Sequence, residues 1–441
     1  MARLFLVAAV VSTLLSGAAG ISQARLATVK AACDVRQRGA KGDGKSNDAK
    51  HLQAALDDPS CDAIVLTQGH TFLSGGLTVR RSNVTLTIEA GAKLEGKPGS
   101  IKQCSNEADW KGWCSFLTVV SARNFTLRGA GTLEGGGQKG EHWSTLHVRS
   151  TARVRLGDGV RIHCTNSWWC SVMHNASAVH IAKLFIDGSK GRDGIDFVNS
   201  RDILIEDSRI EGSDDGLCFK TQADDGLGAW PASNVTVRRC YLSSECCNAI
   251  QFGSRTEVDM TGFSFEDIVI GSGRKSAIGV VSMDSANITK LNFRNITIRG
   301  SQIATPLFLK LGNRAEGDIF APSWGHGSKS KRGSYTATIE GMNTSHKVGP
   351  ICLRGFHITA LGGGDADAAR TDPPSEPEKY QPRYNGERPS WGWFVRHAEG
   401  VSFDNCSLAV QKTDGRPALV LDDVMGVSWT GAAIDTAGKD C

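Results

Sequence analysis

Short runs of alternating apolar and polar residues recur along most of this chain. Ala178-Val-His-Ile-Ala-Lys-Leu-Phe-Ile-Asp-Gly-Ser189 aligns with Asp202-Ile-Leu-Ile-Glu-Asp-Ser-Arg-Ile-Glu-Gly-Ser213 one repeat later. Asn234-Val-Thr-Val-Arg-Arg-Cys-Tyr-Leu-Ser-Ser-Glu245 and Lys290-Leu-Asn-Phe-Arg-Asn-Ile-Thr-Ile-Arg-Gly-Ser301 continue the series. Asn83-Val-Thr-Leu, Asn124-Phe-Thr-Leu and Val401-Ser-Phe-Asp echo it. Alternation over four to six positions followed by Asn, Gly or Ser is strand-and-turn chemistry. Single strands this short are not stable alone, so the inward Val, Ile, Leu and Phe must be buried by stacking. Regular recurrence of that kind predicts a solenoid, here an all-β, right-handed parallel β-helix. A propeller needs several hairpins per repeat, and hairpin dipeptides are scarce. A sandwich does not repeat single strands so regularly.

Two stretches break the pattern. His51-Leu-Gln-Ala-Ala-Leu56 has helical spacing and predicts a short helix covering the open N-terminal coil, where strand edges are otherwise unpaired. Residues 361–392, with Gly362-Gly-Gly-Asp-Ala-Asp and Asp372-Pro-Pro, read as a long loop rather than a linker, because strand pattern resumes near Gly392. The expectation is one β-helix domain over residues 21–441.

The first twenty residues stand apart. Arg3, an apolar run from Leu4 to Leu15 and a small-residue exit at Ser16–Gly20 predict a secretory signal peptide, hence a secreted, extracellular protein. Thirteen Cys among 441 residues agree with export and suggest disulfides, with Cys104/Cys114 and Cys164/Cys170 as close pairs. Cys246-Cys247 lack zinc spacing and read as a disulfide or buried thiols. Sequons at Asn83, Asn124, Asn175, Asn234, Asn287, Asn295, Asn343 and Asn405 allow glycans, although Asn and Thr also suit solenoid turns. A net charge of +4 is no polycationic signature, which excludes nucleic acid as the natural partner. No metal, no cofactor and no membrane partner is expected, and the chain reads as a monomer.

The chemistry lies in Asp193-Gly194-Ile195-Asp196 and Ser213-Asp214-Asp215-Gly216. Asp214 and Asp215 follow the repeat ending at Ser213, and Asp193 follows the equivalent repeat ending at Ser189. All three leave the same edge of successive coils, about 4.8 Å apart. Carboxylates gathered so closely suit acid/base hydrolysis of a glycosidic bond, for which inverting enzymes place them about 6.5–9.5 Å apart.

These residues resemble glycoside hydrolase family 28, the polygalacturonases of the pectin lyase-like superfamily. Its Asn-Thr-Asp-Gly-Ile-Asp and Gly-Asp-Asp-Cys-Ile-Ala signatures read here Gly191-Arg-Asp-Gly-Ile-Asp196 and Ser213-Asp-Asp-Gly-Leu-Cys218. Gly42-Asp-Gly-Lys-Ser-Asn-Asp48 and Gly91-Ala-Lys-Leu extend the likeness, which covers most of residues 38 to 320. The resemblance implies a right-handed parallel β-helix and inverting hydrolysis of pectin-type, acidic polysaccharide. It implies that Asp214 protonates the leaving oxygen while Asp193 and Asp215 bind and deprotonate the water.

There are departures. Asn248 stands where the family carries a histidine, and both basic residues of its Arg-Ile-Lys motif are absent near Val281-Ser282-Met283. These departures count against plain polygalacturonate and leave rhamnogalacturonan as the alternative substrate. Lys310 and Arg314 are candidates for a replacement positive charge, and Asn248, Gln251 and Asp284 for further sugar contacts. Trp391-Gly-Trp393-Phe-Val-Arg-His397 either walls the groove or packs the loop on the core. His326 reads as structural. A polysaccharide lyase and a non-catalytic glycan-binding solenoid are the alternatives.

Overall fold

The computed structural model describes residues 32–100, 113–136, 143–223, 228–299, 303–314, 336–431 and 433–436. The segment expected to be a signal peptide, Cys104 and His326 lie outside these residues. Strands of 23 and 12 members form two sheets, and neighbouring coils pair in parallel throughout both. One coil can be followed residue by residue. The chain runs along Asp193–Val198 in the smaller sheet, then Arg201–Glu206 and Arg209–Gly212 in the larger one, and re-enters the smaller sheet at Leu217–Thr221. This is a parallel β-helix, as the repeat predicts.

Register explains the alternation. Ile195, Leu217, Ile250, Ile278 and Leu307 align across consecutive strands, and all point into the solenoid fully buried. The next inward row stacks Phe197 on Phe219 at 5.5 Å and Phe219 on Phe252 at 5.1 Å between ring centroids. Burying each such side chain contributes about 1.5–3 kcal/mol. Intervening positions, Asp196, Cys218 and Gln251 among them, face outward on the smaller sheet.

The helix spans Ala49–Asp57 and buries Leu52, Ala55 and Leu56. Gln53 stitches it to the Leu77–Val79 strand at the end of the smaller sheet. Its Nε2 donates to the Thr78 carbonyl at 2.8 Å, and its Oε1 accepts from the Thr78 N–H at 2.9 Å. Backbone groups that an added strand would pair are thus occupied.

The turns account for the Asn-rich sequons. Asn83, Asn124, Asn234 and Asn295 have positive φ, a region asparagine tolerates well. Their amides bridge coils, Asn124 to Asn83 at 3.0 Å and Asn234 to Asp202 at 2.8 Å. Cysteines 33–61, 164–170 and 246–247 form disulfides, so the second expected close pair and the adjacent pair are both bridged.

The excursion at 361–392 is a packed structure with two short 3-10 turns, Ala366–Arg370 and Pro382–Asn385. It lies on the outward face of the smaller sheet, where Asn385 and Arg388 are buried against Glu340 and Thr338. Trp391 and Trp393 belong to the solenoid core, so they pack the loop and do not wall a groove. Among the described residues, no helix is long and apolar enough to cross a membrane.

Candidate active site

Five neighbouring strands of the smaller sheet build the site: Trp169–His174, Asp193–Val198, Leu217–Thr221, Asn248–Thr256 and Ser276–Ser282. Asp193 opens its strand, directly alongside Trp169 of the preceding coil. Asp214 and Asp215 occupy the turn between Gly212 and Leu217. That turn is pressed backbone to backbone against its neighbours. A Cβ at Gly212 would meet the Asp215 carbonyl oxygen at 2.1 Å, and one at Gly216 would meet the Ala249 carbonyl oxygen at 2.6 Å. Only glycine permits such approach. Backbone bonds lock the coils together: Asp214 N–H to Arg192 C=O at 3.1 Å, Gly194 N–H to Asp215 C=O at 2.9 Å, and Gly216 N–H to Asn248 C=O at 2.8 Å.

The three acids converge. One carboxylate oxygen from each of Asp193, Asp214 and Asp215 lies within 4.8 Å of the others. That is tighter than the separation expected for inversion. It matches the gap one water covers, since two tetrahedral hydrogen bonds of about 2.8 Å span about 4.6 Å.

Cations thread the acids. Arg192 donates to Asp214 through Nε at 3.1 Å and through a terminal nitrogen, with its guanidinium 4.0 Å above the Trp168 ring. Lys220 donates to Asp196 and, at 3.4 Å, to Asp193, and its ammonium lies 4.5 Å over Trp169. Lys275 faces Asp215, Asp214 and Asp193 and forms no ion pair among the described residues. Three positive charges thus stand against four carboxylates, and the oxygens of Asp193, Asp214 and Asp215 are close enough together to hold a metal ion.

Surroundings sort the proton affinities. Burial pushes Asp193 well above the usual carboxylate value, and Asp196 adds to this against the pull of Lys220. Burial likewise raises Asp196, to about 6. Asp215 is raised by burial and by the Asp214 charge, offset in part by Lys275, Lys220 and Asn248. Asp214 is the exception: burial pushes upward, but Lys275, Arg192 and Lys220 together hold it below its ordinary value. Proton affinity is thus raised at Asp193, Asp196 and Asp215, whereas at the expected proton donor, Asp214, it is lowered. The nearby Lys275 charge and the ion pair with Arg192, which directly precedes Asp193, are the physical reason.

The remaining expected contacts divide. Asn248 joins the site, its backbone N–H and Nδ2 both donating to one Asp215 oxygen at 2.8 and 3.0 Å. Gln251 lies buried on the outward face beside Cys218 and donates to the Phe252 carbonyl at 2.9 Å. Asp284 is taken up by Arg314, at 2.9 and 2.6 Å, and by the Thr256 N–H at 2.9 Å. Arg314 also donates to the Ser254 carbonyl. Lys310 is buried 3.8 Å from Glu340 under the loop, and burial lowers its pKa to about 8. Lys310 and Arg314 are thus engaged by Glu340 and Asp284, and the cations that lie beside the acids are Arg192, Lys220 and Lys275. Stacking the sequence one coil at a time exposes the first of these, because Arg192 falls beside Asp214. Trp168 and Trp169 emerge the same way, since Trp169 pairs with Asp193 of the next coil.

The family described as rhamnogalacturonase A/epimerase, pectate lyase-like, matches residues 32–273. An endo-polygalacturonase of Pectobacterium parmentieri is 28% identical over 206 residues, 38% of this chain and 50% of that protein. One from Pectobacterium carotovorum subsp. carotovorum is 22% identical over 325 residues, covering 66% of this chain and 78% of the relative. The chain therefore spans half the length of the first and more of the second. Among solved structures, a family 28 exopolygalacturonase of Yersinia enterocolitica superposes with TM-score 0.54 at 14% identity, over 91% of this chain and 77% of that one. A polygalacturonase of Erwinia carotovora ssp. carotovora gives 0.52 at 15%, over 93% and 96%. At these identities the structural likeness establishes the fold.

Proposed function

The chain belongs to the pectate lyase-like family of rhamnogalacturonase A and its epimerase relatives, and from that membership we propose that it is a glycoside hydrolase of pectic polysaccharide acting through Asp193, Asp214 and Asp215. The observation that carries this reading is the convergence of the three carboxylates, with unlike proton affinities, on a span that one water fills. A site for acid/base hydrolysis needs both a proton donor and a base at one locus.

Asp215 in its ionised form, a stronger base than Asp214, takes the proton of a water shared with Asp193. Asn248 orients it by two hydrogen bonds. Asp214 delivers a proton to the leaving oxygen. It rests ionised against Lys275 and Arg192, so it must first take up that proton from solvent. An anionic sugar supplies the means: its carboxylate pairs with Arg192, the cation's hold on Asp214 weakens, and the Asp214 pKa rises. Acid catalysis then switches on when a charged sugar is seated beside the scissile bond. Inversion follows from the family resemblance and not from the carboxylate spacing.

Rhamnogalacturonan, in which charged and neutral sugars alternate, suits one cationic side with Arg192 on the Trp168 ring. Plain polygalacturonate would use the basic motif that this chain lacks. Export, with bridged cysteines as its support, completes the reading. The test is a panel of rhamnogalacturonan, polygalacturonate and neutral galactans with linkage analysis of products. Preferential cleavage of rhamnogalacturonan is expected. Cleavage of polygalacturonate alone would overturn the substrate assignment, and an unsaturated, ultraviolet-absorbing product would mark a lyase instead.

A further inference from the structure

We propose that the Cys246–Cys247 disulfide is a positioning element of the acid site, fixing the turn whose next residue, Asn248, holds Asp215. Both sulfurs lie within 4.8 Å of an Asp214 carboxylate oxygen, so the bridge borders the acids directly. Closing a ring between adjacent residues fixes the backbone of both, and that backbone is wired into the catalytic turn on every side. Cys246 N–H donates to the Ser213 carbonyl at 3.0 Å. Cys247 N–H donates at 2.8 Å to Ser244 Oγ, whose own hydroxyl donates to the Asp214 carbonyl. The Cys247 carbonyl accepts from the Lys275 N–H at 3.0 Å, linking the free cation to the same turn.

Transmission from this turn to the acids is rigid because nothing soft lies between them. Gly216 faces residues 243–249 without a side chain, and a Cβ there would meet the Ser243 carbonyl oxygen at 2.8 Å and the Ala249 carbonyl oxygen at 2.6 Å. A side chain at this position could absorb a shift; bare backbone contact passes it on. The cysteine of the Gly-Asp-Asp-Cys signature is Gly216 here, and the neighbouring coil carries the adjacent pair.

A dithiol reductant tests the proposal without mutating the acids. It transfers two electrons and two protons, converting Cys246–Cys247 to two thiols while the reagent closes to its own cyclic disulfide. With the ring open, Asn248 no longer holds its two donors on Asp215. Those bonds favour the ionised form, so losing them raises the Asp215 pKa. Carboxyl carbon-13 titration of aspartate-labelled protein reads this with no substrate present, the Asp215 signal being assigned by its loss in Asp215→Asn. The expected result is an upward shift of the Asp215 titration on reduction, matched by the unreduced Cys246→Ser/Cys247→Ser variant and reversed by reoxidation in the wild type alone. Only the kinetic arm rests on the hydrolase reading: kcat/KM on rhamnogalacturonan is expected to fall about 10- to 100-fold, with its acid limb moved to higher pH. Mass analysis after alkylation verifies that both thiols form. If they do, and the Asp215 titration stays where it was, the proposal is overturned. An unchanged titration counts against the disulfide, whereas oxidised protein inactive on every pectic substrate counts against the hydrolase reading.

Discussion

Arg192 donates through two nitrogens to a single oxygen of Asp214, the Nε bond being 3.1 Å long, while the Asp214 backbone N–H returns to the Arg192 carbonyl at 3.1 Å. The two residues lie side by side on successive coils, tied at both backbone and side chain. With Lys275, this pair holds the Asp214 carboxyl below its ordinary value, and its consequences can be measured.

Replacing the cation should release Asp214. In Arg192→Gln the Asp214 pKa rises by roughly one to three units, the range an adjacent opposite charge commands. If Asp214 acts as the acid, the alkaline limb of the kcat/KM profile moves to higher pH, because the protonated form persists longer. If it acts as the base, the acid limb moves up instead. The direction of movement in a pH–rate profile therefore assigns the role.

Asp196 should cost stability once ionised. Its folded pKa is raised from 3.8 to about 6, so the folded state prefers it protonated. That preference is harmless below about pH 4 and is lost as stability while pH rises through 6. The shift corresponds to on the order of 3 kcal/mol. Denaturant unfolding of wild type and Asp196→Asn at pH 5 and 7.5 should show the variant gaining on the wild type at the higher pH. Buried His147, held neutral by burial, titrates in the opposite sense in both proteins and cancels in the difference. A difference independent of pH would contradict the assignment.

Arg314 should prove structural. Its guanidinium is 3% exposed and paired with Asp284. Arg314→Ala leaves that acid uncompensated, which costs about 3–5 kcal/mol. Urea unfolding should register the loss, while KM measured on the folded fraction stays within about twofold of wild type. A large KM rise at unchanged stability would return Arg314 to the substrate.

The solenoid, the capping helix and the acid cluster were all legible because each depends on local spacing: period two in the strands, helical spacing at Leu52 and Leu56, one repeat between Asp193 and Asp214. The supporting cast was not. Lys310 and Arg314 looked available because sequence shows charge without showing what folds over it, and the 361–392 excursion covers Lys310. Arg192, Lys220 and Lys275 looked ordinary because their meaning comes only from stacking across coils. Trp391 and Trp393 pointed either way until their burial settled them in the core.

Hydrolysis through Asp214 is decided by the release of reducing ends from rhamnogalacturonan by wild type and by Asp214→Asn, with ultraviolet absorbance followed in the same samples. The account predicts that wild type releases reducing ends without an unsaturated product and that Asp214→Asn is slower by about 10²–10⁴-fold while remaining folded. Equal rates in the two proteins, or absorbance rising with each cut, would contradict it.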